Sequence, residues 1–157
     1  MEHLFTIIRQ TRKNFIQLIE SASIEELNQV PAGFNNNMIW NFGHIIVSQQ
    51  LLCYKLAGLE LKISDQMTLE YQKGTKPERF IDKTEVEALK ALMLSTVDVL
   101  ESDLNAGNFV NYHGFMTTYG VALNSTADAF RFFPVHDAFH YGCASSIKKA
   151  IQTINKN

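Results

Sequence analysis

The sequence predicts an all-α protein, a four-helix bundle with a long crossover connection between helices two and three. Four stretches repeat apolar residues at helical spacing, and no stretch alternates convincingly as a strand would. The composition, 46% hydrophobic and 19% charged over 157 residues, is that of an ordinary globular chain. A chain of this length can bury a sizeable core, and we expect one domain over residues 1–157.

The first two helices follow from apolar spacing and from the residues that can begin or end a helix. Apolar residues recur every three or four positions from about Leu4 to Ser21, which predicts helix one. Residues 23–33 contain proline and glycine and predict a connection. Three consecutive asparagines can then cap a second helix that runs from about Asn37 to Ala57 and ends at Gly58.

The segment 59–81 predicts a long connection with one short turn of helix, because Gly74 and Pro77 break its pattern. About twenty extended residues reach up to about 65 Å, whereas a helix of twenty residues spans about 30 Å. The connection can therefore recross the molecule, and helix three need not run antiparallel to helix two.

The third helix is predicted to begin at Asp82 or Thr84 and to end near Asn105. Thr84 lies three residues before Glu87, the spacing of a capping box. Residues 108–124 are rich in glycine and aromatic residues. They fit either a covering loop or an irregular strand.

The fourth helix is predicted from Ser125 or Thr126 to about Thr153, with Ser125 three residues before Asp128. Pro134 falls inside this stretch. Proline removes a backbone donor and clashes with the preceding turn, so it predicts either a kink or a helix boundary at this point.

Two histidines of the fourth helix, His136 and His140, lie one turn apart on its apolar stripe. The stripe also contains Ala129, Phe132, Phe133, Cys143, Ala144, Ile147 and Ile151. Buried imidazoles need polar partners, which leaves two interpretations: a shared metal ion, or ordinary hydrogen-bonded core histidines. A helical wheel of the fourth helix places Asp137 on the polar side, where we expect a solvated charge.

A third histidine, His44, lies in the second helix within a polar strip. The other members of this strip are Asn37, Asn41, Ser48 and Lys55. The strip either faces solvent, as most polar stripes do, or faces a wet cavity inside the bundle.

Two segments together resemble the DinB-like family of four-helix metalloproteins: residues 33–45, which read GFNNNMIWNFGHI, and residues 136–142, which read HDAFHYG. The resemblance extends over nearly the entire chain. It implies that one histidine of the second helix and a pair from the fourth bind a divalent metal. These positions are His44, His136 and His140 here.

Three neutral imidazoles leave a divalent ion with an open position, as in catalytic sites. Zinc or nickel suits this donor set, with manganese or iron as alternatives. The resemblance implies activation of a low-molecular-weight thiol, as in the thiol-dependent transferases and isomerases of that family. We expect a metal-dependent thiol transferase, or else a hydrolase, that acts on a small-molecule substrate. The main alternative is a non-catalytic dimeric binding or scaffold bundle with a vestigial metal site. A haem-binding bundle is a further alternative, although the chain has no C-x-x-C-H motif.

The sequence assigns no catalytic acid or base. Cys143, where many relatives carry glutamine, fits a fourth ligand or a small core residue. His113 in the aromatic segment fits a surface loop or the pocket, and Trp40 fits core packing or a pocket wall.

The remaining expectations concern partners and location. A formal charge of -2 without a basic face argues against nucleic acid. Arg9, Arg12 and Lys13 interrupt the first apolar pattern, which argues against a signal peptide or membrane span. Cys53 and Cys143 form no disulfide framework, as in a cytoplasmic protein. The resemblance also implies a homodimer.

Overall fold

Helices dominate residues 1–154, the residues that this computed structural model describes. The six α-helices are α1 (Glu2–Glu20), α2 (Ile24–Asn28), α3 (Met38–Gln49), α4 (Asp65–Tyr71), α5 (Lys83–Asn105) and α6 (Thr126–Ile154). The predicted all-α class is confirmed, and the four long helices form the bundle. The last three residues of the predicted domain, 155–157, lie outside the described residues.

The predicted second helix is confirmed, but its last two turns are irregular. Asn37 caps α3 by accepting a hydrogen bond from the Trp40 backbone N–H at 2.8 Å. After α3 the chain continues through a π-helical turn, Gln50–Tyr54, and a 3₁₀ turn, Lys55–Ala57. Gly58 then ends the helix at φ 74°, a left-handed conformation that glycine adopts without steric penalty.

The connection over residues 59–81 returns the chain so that α5 runs parallel to α3. The Gln49 side-chain amide donates to the Thr96 carbonyl at 2.7 Å, and farther along both helical segments the Tyr54 hydroxyl donates to Asp103 at 2.8 Å. Contacts that advance in the same direction require parallel helices. The predicted crossover is therefore present, and its one short helix is α4.

Capping side chains decide where the shorter helices and α5 begin. Asp82 caps α5 in a reciprocal capping box with Glu85, so the box that Thr84 suggested is wrong and the alternative start at Asp82 is correct. Asp82 is extended, at ψ 174°, and its carboxylate can turn back onto the first helical turn. The predicted connection over residues 23–33 contains α2, which Ser23 caps.

The last third of the chain holds a small hairpin and one long helix. Strands β1 (Phe115–Met116) and β2 (Ala122–Leu123) pair antiparallel within the segment that fitted a loop or strand. Helix α6 continues through Pro134, so a helix boundary there is wrong. Phe130 and Phe133 of α6 are fully buried, and their packing offsets the roughly 3 kcal/mol that an interior proline costs.

Two apolar clusters fill the bundle. In one, the ring of Phe15 meets the ring of Phe42 edge-on, with centroids 5.1 Å apart. In the other, Phe5 packs on Phe130 at 4.2 Å. None of the helices within residues 1–154 is both long and apolar enough to cross a membrane.

Candidate metal centre

Three imidazoles converge between α3 and α6. One ring nitrogen each of His44, His136 and His140 lies within 4.8 Å of the other two, which is within reach of a single metal ion. The ring centroids of His44 and His140 are 4.5 Å apart, and those of His136 and His140 are 4.7 Å apart. The structure thus brings together the three histidines that the sequence singled out.

The polar strip around His44 faces the interior of the bundle. His44 is 6% exposed, and Asn37, Asn41 and Ser48 of the same strip are also buried. Only Lys55, at the far end of the strip, is exposed. The solvent-facing interpretation is therefore wrong. The wheel missed this because it carries no information on the neighbouring helices that cover α3.

His44 is held by a backbone carbonyl of the crossover. Its Nδ1 lies 2.6 Å from the Tyr71 carbonyl oxygen, which can only accept, so Nδ1 carries the proton. The Nε2 lone pair is then left for the Ser48 hydroxyl, at 3.2 Å, or for a metal ion. Burial lowers the pKa of His44 to about 4, against the opposing effect of the Tyr71 hydrogen bond, and keeps the ring neutral.

Gly43 permits that close approach of the crossover. A Cβ atom at this position would lie 2.5 Å from Cδ1 of the Tyr71 ring, far inside van der Waals contact. A side chain at position 43 must displace the Tyr71 ring, at the end of α4. The glycine next to His44 therefore determines whether the Tyr71 carbonyl can reach the imidazole.

His140 is held by a side-chain amide of α3. Its Nδ1 lies 2.9 Å from the Asn41 Oδ1 atom. The Asn41 amide nitrogen donates to the Asn37 carbonyl at 2.8 Å, which fixes the oxygen toward His140. Burial, followed by the neighbouring His136 and His44, lowers the pKa of His140 to about 3. Its Nε2 is thus also available as a neutral donor.

His136 is backed by a buried ion pair instead. Its Nδ1 lies 3.6 Å from the Asp137 Oδ1 atom, and within residues 1–154 neither atom has a hydrogen-bond partner. The other Asp137 oxygen accepts from Arg12 Nε at 2.9 Å. Burial alone would raise the pKa of the Asp137 carboxyl, but Arg12 and His136 bring it below its usual range.

The prediction that Asp137 is a solvated charge is wrong. Both Asp137 and Arg12 are 0% exposed, because α1 packs against α6 at this position and pairs the two side chains at 2.9 Å. Arg12 also donates to Gln49 at 2.7 Å and to the Met93 carbonyl at 3.0 Å. The sequence did contain one sign of this network, a charged residue inside the apolar pattern of helix one.

The other residues that the sequence singled out, Trp40, His113 and Cys143, lie outside the group of three histidines. Trp40 is buried in the apolar core and stacks on His44, with ring centroids 4.6 Å apart. His113 is exposed, as expected of a loop residue. Cys143 is half-buried and is not in the group of three, and burial raises its thiol pKa. The fourth-ligand alternative therefore has no support in this geometry.

A cavity of about 370 Å³ opens beside His44 and His136. Its apolar walls are Leu51, Leu52, Leu56, Phe115, Tyr119 and Phe132. Its polar lining is Ser48, Gln72, Thr117, Thr118, Lys55 and Lys73. A small molecule in this cavity would touch the imidazoles directly.

The residues present fit a divalent ion. Two of the three rings have Nδ1 committed to an acceptor, which leaves Nε2 as the donor atom, and imidazole is a common ligand of zinc and nickel. The third ring lies against a carboxylate, and its Nδ1 and the facing Asp137 oxygen are both unpartnered within the described residues. Unpartnered buried polar atoms are typical of sites that a ligand or ion completes.

An all-α bundle in which imidazoles from two helices converge beside a cavity has the architecture of a metal-binding helical protein. The sequence model of the DinB superfamily matches residues 7–144, and the chain belongs to this superfamily. The superfamily is associated with metal-binding proteins. A search of the curated proteins found no match for the chain. The family resemblance predicted from the two histidine segments is therefore confirmed.

Proposed function

We propose that the protein is a divalent-metal-dependent enzyme that transfers a low-molecular-weight thiol to an electrophilic small molecule. His44, His136 and His140 would hold the ion, zinc or nickel in preference to manganese or iron. The observation that carries the proposal is the convergence of the three ring nitrogens within 4.8 Å beside an open cavity.

The chemistry divides between the ion and the chain. A bound ion would supply Lewis acidity, which lowers the pKa of a thiol in the position that the histidines leave open. The chain keeps His44 and His140 neutral through burial, so that their lone pairs remain available at neutral pH. The apolar walls would exclude water from an electrophile lying against the histidines.

The first experiment measures metal content. The protein is purified without an affinity tag, treated with a chelator, and titrated with Zn²⁺ or Ni²⁺, with mass spectrometry as readout. We expect about one ion per chain, and loss of binding in H44A/H136A/H140A. The matched control is H3A/H113A, which removes two exposed histidines. A wild-type protein that takes up neither ion would overturn the proposal.

The second experiment measures thiol transfer. The metal-loaded protein is mixed with a panel of small thiols and 1-chloro-2,4-dinitrobenzene. A sulfur–carbon bond forms, chloride leaves, and the thiol proton passes to solvent. We expect turnover that the three histidine substitutions abolish. Metal binding without turnover for any thiol of the panel would contradict the transferase assignment while leaving the metal site intact.

A second candidate function is a non-catalytic dimeric binding or scaffold bundle. Large apolar side chains are exposed on α6 and on the hairpin, among them Val135 and Phe139 at 52% each and Met116 at 62%. Such surface is typical of interfaces, and we propose a homodimer for either function. Light scattering tests the dimer. A dimer whose cellular function survives H44A/H136A/H140A would favour the scaffold.

We also propose that the protein is cytoplasmic. Both cysteines, Cys53 and Cys143, are free in the structure, which fits the reducing cytoplasm.

The haem alternative is tested by adding haem to the purified protein. A Soret band that disappears in H136A/H140A would favour haem over a divalent ion.

A further inference from the structure

We propose that the cavity beside the three histidines takes a small organic acid, with its carboxylate between Lys55 and Lys73 and its apolar body against the leucine and aromatic walls. The inference rests on the proposed function, since it names the class of substrate that the same site would take. The observations that carry it are the charge of the lining, the origin of the two lysines, and the size and polarity of the walls.

The charge of the lining has one sign. Lys55 and Lys73 contribute ammonium groups, and no aspartate or glutamate lines the cavity. Within residues 1–154 neither lysine pairs with a carboxylate, whereas Arg9, Arg79 and Lys90 each pair with two. Two uncompensated cations at the rim of an apolar cavity create a positive potential that attracts an anion.

The two lysines come from separate parts of the chain. Lys55 lies in the 3₁₀ turn that follows α3, and Lys73 lies just after α4 in the crossover. The fold places both on one cavity that also contains His44 and His136. A carboxylate between the lysines would therefore leave the rest of the molecule beside the imidazoles.

The cavity walls determine the size and the polarity of the rest of the ligand, beyond its carboxylate. A cavity of about 370 Å³ lies at the small end of the range for ligand sites, so its volume matches a small molecule. Leu51, Leu56 and Phe132 offer apolar contact, and the exposed Thr118 offers a hydroxyl group. A carboxylate with a short apolar body matches all three features.

The test compares 3-phenylpropanoate with 3-phenylpropanamide, which has the same shape without the charge. Isothermal titration calorimetry at low salt gives both dissociation constants. We expect the wild type to bind the acid at least about tenfold more tightly than the amide. In K55M/K73M the preference should fall to within about threefold, while K55R/K73R should keep it. The control K149M, which removes an exposed lysine away from the cavity, should keep the wild-type preference.

The outcomes separate this inference from the proposed function. Each titration is run on chelator-treated protein and again after loading with Zn²⁺, so the lysine dependence is measured with and without an ion. Equal binding of acid and amide, an undiminished preference in K55M/K73M, or no binding of either compound at millimolar concentration overturns the inference. Failure to take up Zn²⁺ or Ni²⁺ overturns the proposed function instead, whatever the ratio of the two compounds.

Discussion

The two sides of the histidine cluster are supported by different kinds of chemistry. On the neutral side, His44 and His140 each lie within hydrogen-bonding distance of an uncharged oxygen, at 2.6 Å from Tyr71 and 2.9 Å from Asn41. On the charged side, His136 lies 3.6 Å from the carboxylate of Asp137. The neutral side is fixed by hydrogen bonds that exist without an ion. On the charged side, His136 Nδ1 and the facing Asp137 oxygen have no hydrogen-bond partner within residues 1–154.

This difference indicates what the buried ion pair does. A fully buried arginine and carboxylate gain little net stability, because the desolvation of both charges offsets their attraction. Apolar residues of similar volume would fill the same space. Asp137 Oδ1 lies 3.6 Å from His136 Nδ1, so we expect the pair to favour one orientation of that imidazole. Substitutions and a change of pH can each disturb one side of the histidine cluster without the other.

The largest expected effect follows from Arg12→Met, which breaks the charged side. Asp137 would remain buried without its counter-charge, and we expect the free energy of unfolding to fall by about 3–5 kcal/mol. Urea unfolding measures the change. The double variant R12M/D137L removes both charges and should recover most of the loss.

The matched control for that variant is Arg9→Met, one turn earlier in α1. Arg9 pairs with Asp98 and Glu101 on a partly exposed surface, so its loss should lower the free energy of unfolding by less than about 1 kcal/mol. If R9M and R12M lower the free energy of unfolding equally, the buried ion pair matters no more to stability than the surface pairs of Arg9.

The pH dependence of stability tests the neutral side. The pKa values of His44 and His140 are lowered from 6.5 to about 4 and about 3, so below pH 6.5 the unfolded chain binds protons that the native state does not. Stability is therefore greatest above pH 6.5 and falls as the pH decreases, by about 1.4 kcal/mol per pH unit for each histidine. Urea unfolding of chelator-treated protein at pH 7 and pH 5 should show a loss of about 2 kcal/mol per histidine.

Two substitutions check the origin of that slope. H140N should remove roughly half of the pH-dependent loss, because the asparagine side chain does not titrate. H113A is the matched control, because His113 is exposed and is not in the group of three. A wild-type protein equally stable at pH 5 and pH 7 would contradict the assignment of buried, neutral imidazoles.

Gly43→Ala tests the approach of the crossover on the neutral side. The added methyl group would overlap the Tyr71 ring, and we expect a loss of about 1–3 kcal/mol in the free energy of unfolding and a weaker Tyr71–His44 hydrogen bond. Gly142→Ala is the control, because a Cβ there meets nothing within 4 Å. In α6 that change should stabilise the protein by up to about 1 kcal/mol. An equal gain for both variants would refute the role of Gly43.

Most of the bundle could be predicted from the sequence because helical periodicity and caps are local. The spacing of apolar residues located the four long helices, and Asn37 and Gly58 bounded the second helical segment. The π-helical turn of residues 50–54 could not be predicted, since its apolar pattern continues that of α3. The short helix α2 could have been found, because Ser23 and Glu26 have the spacing of a capping box.

The site divides in the same way between local and long-range information. The apolar stripe placed His136 and His140 inward, but the wheel alone favoured solvent for His44, and the family resemblance supplied that residue. Asp137 and Arg12 were missed because a wheel describes one helix at a time. Their contact joins α6 to α1 across 125 positions of sequence, and no local pattern records it.

The smallest expected effect concerns Asn41, which holds His140 on the neutral side. Asn41→Ala removes the acceptor of the His140 Nδ1 proton, so the ring loses the contact that aims its Nε2 at the cluster. We expect the affinity for Zn²⁺, measured by competition with a chromophoric chelator, to fall about tenfold, with little change for the control N35A at an exposed asparagine. If the Zn²⁺ affinity is unchanged in N41A but falls strongly in R12M, the charged side alone orients the histidine ligands. The neutral contacts would then be packing that follows from the fold.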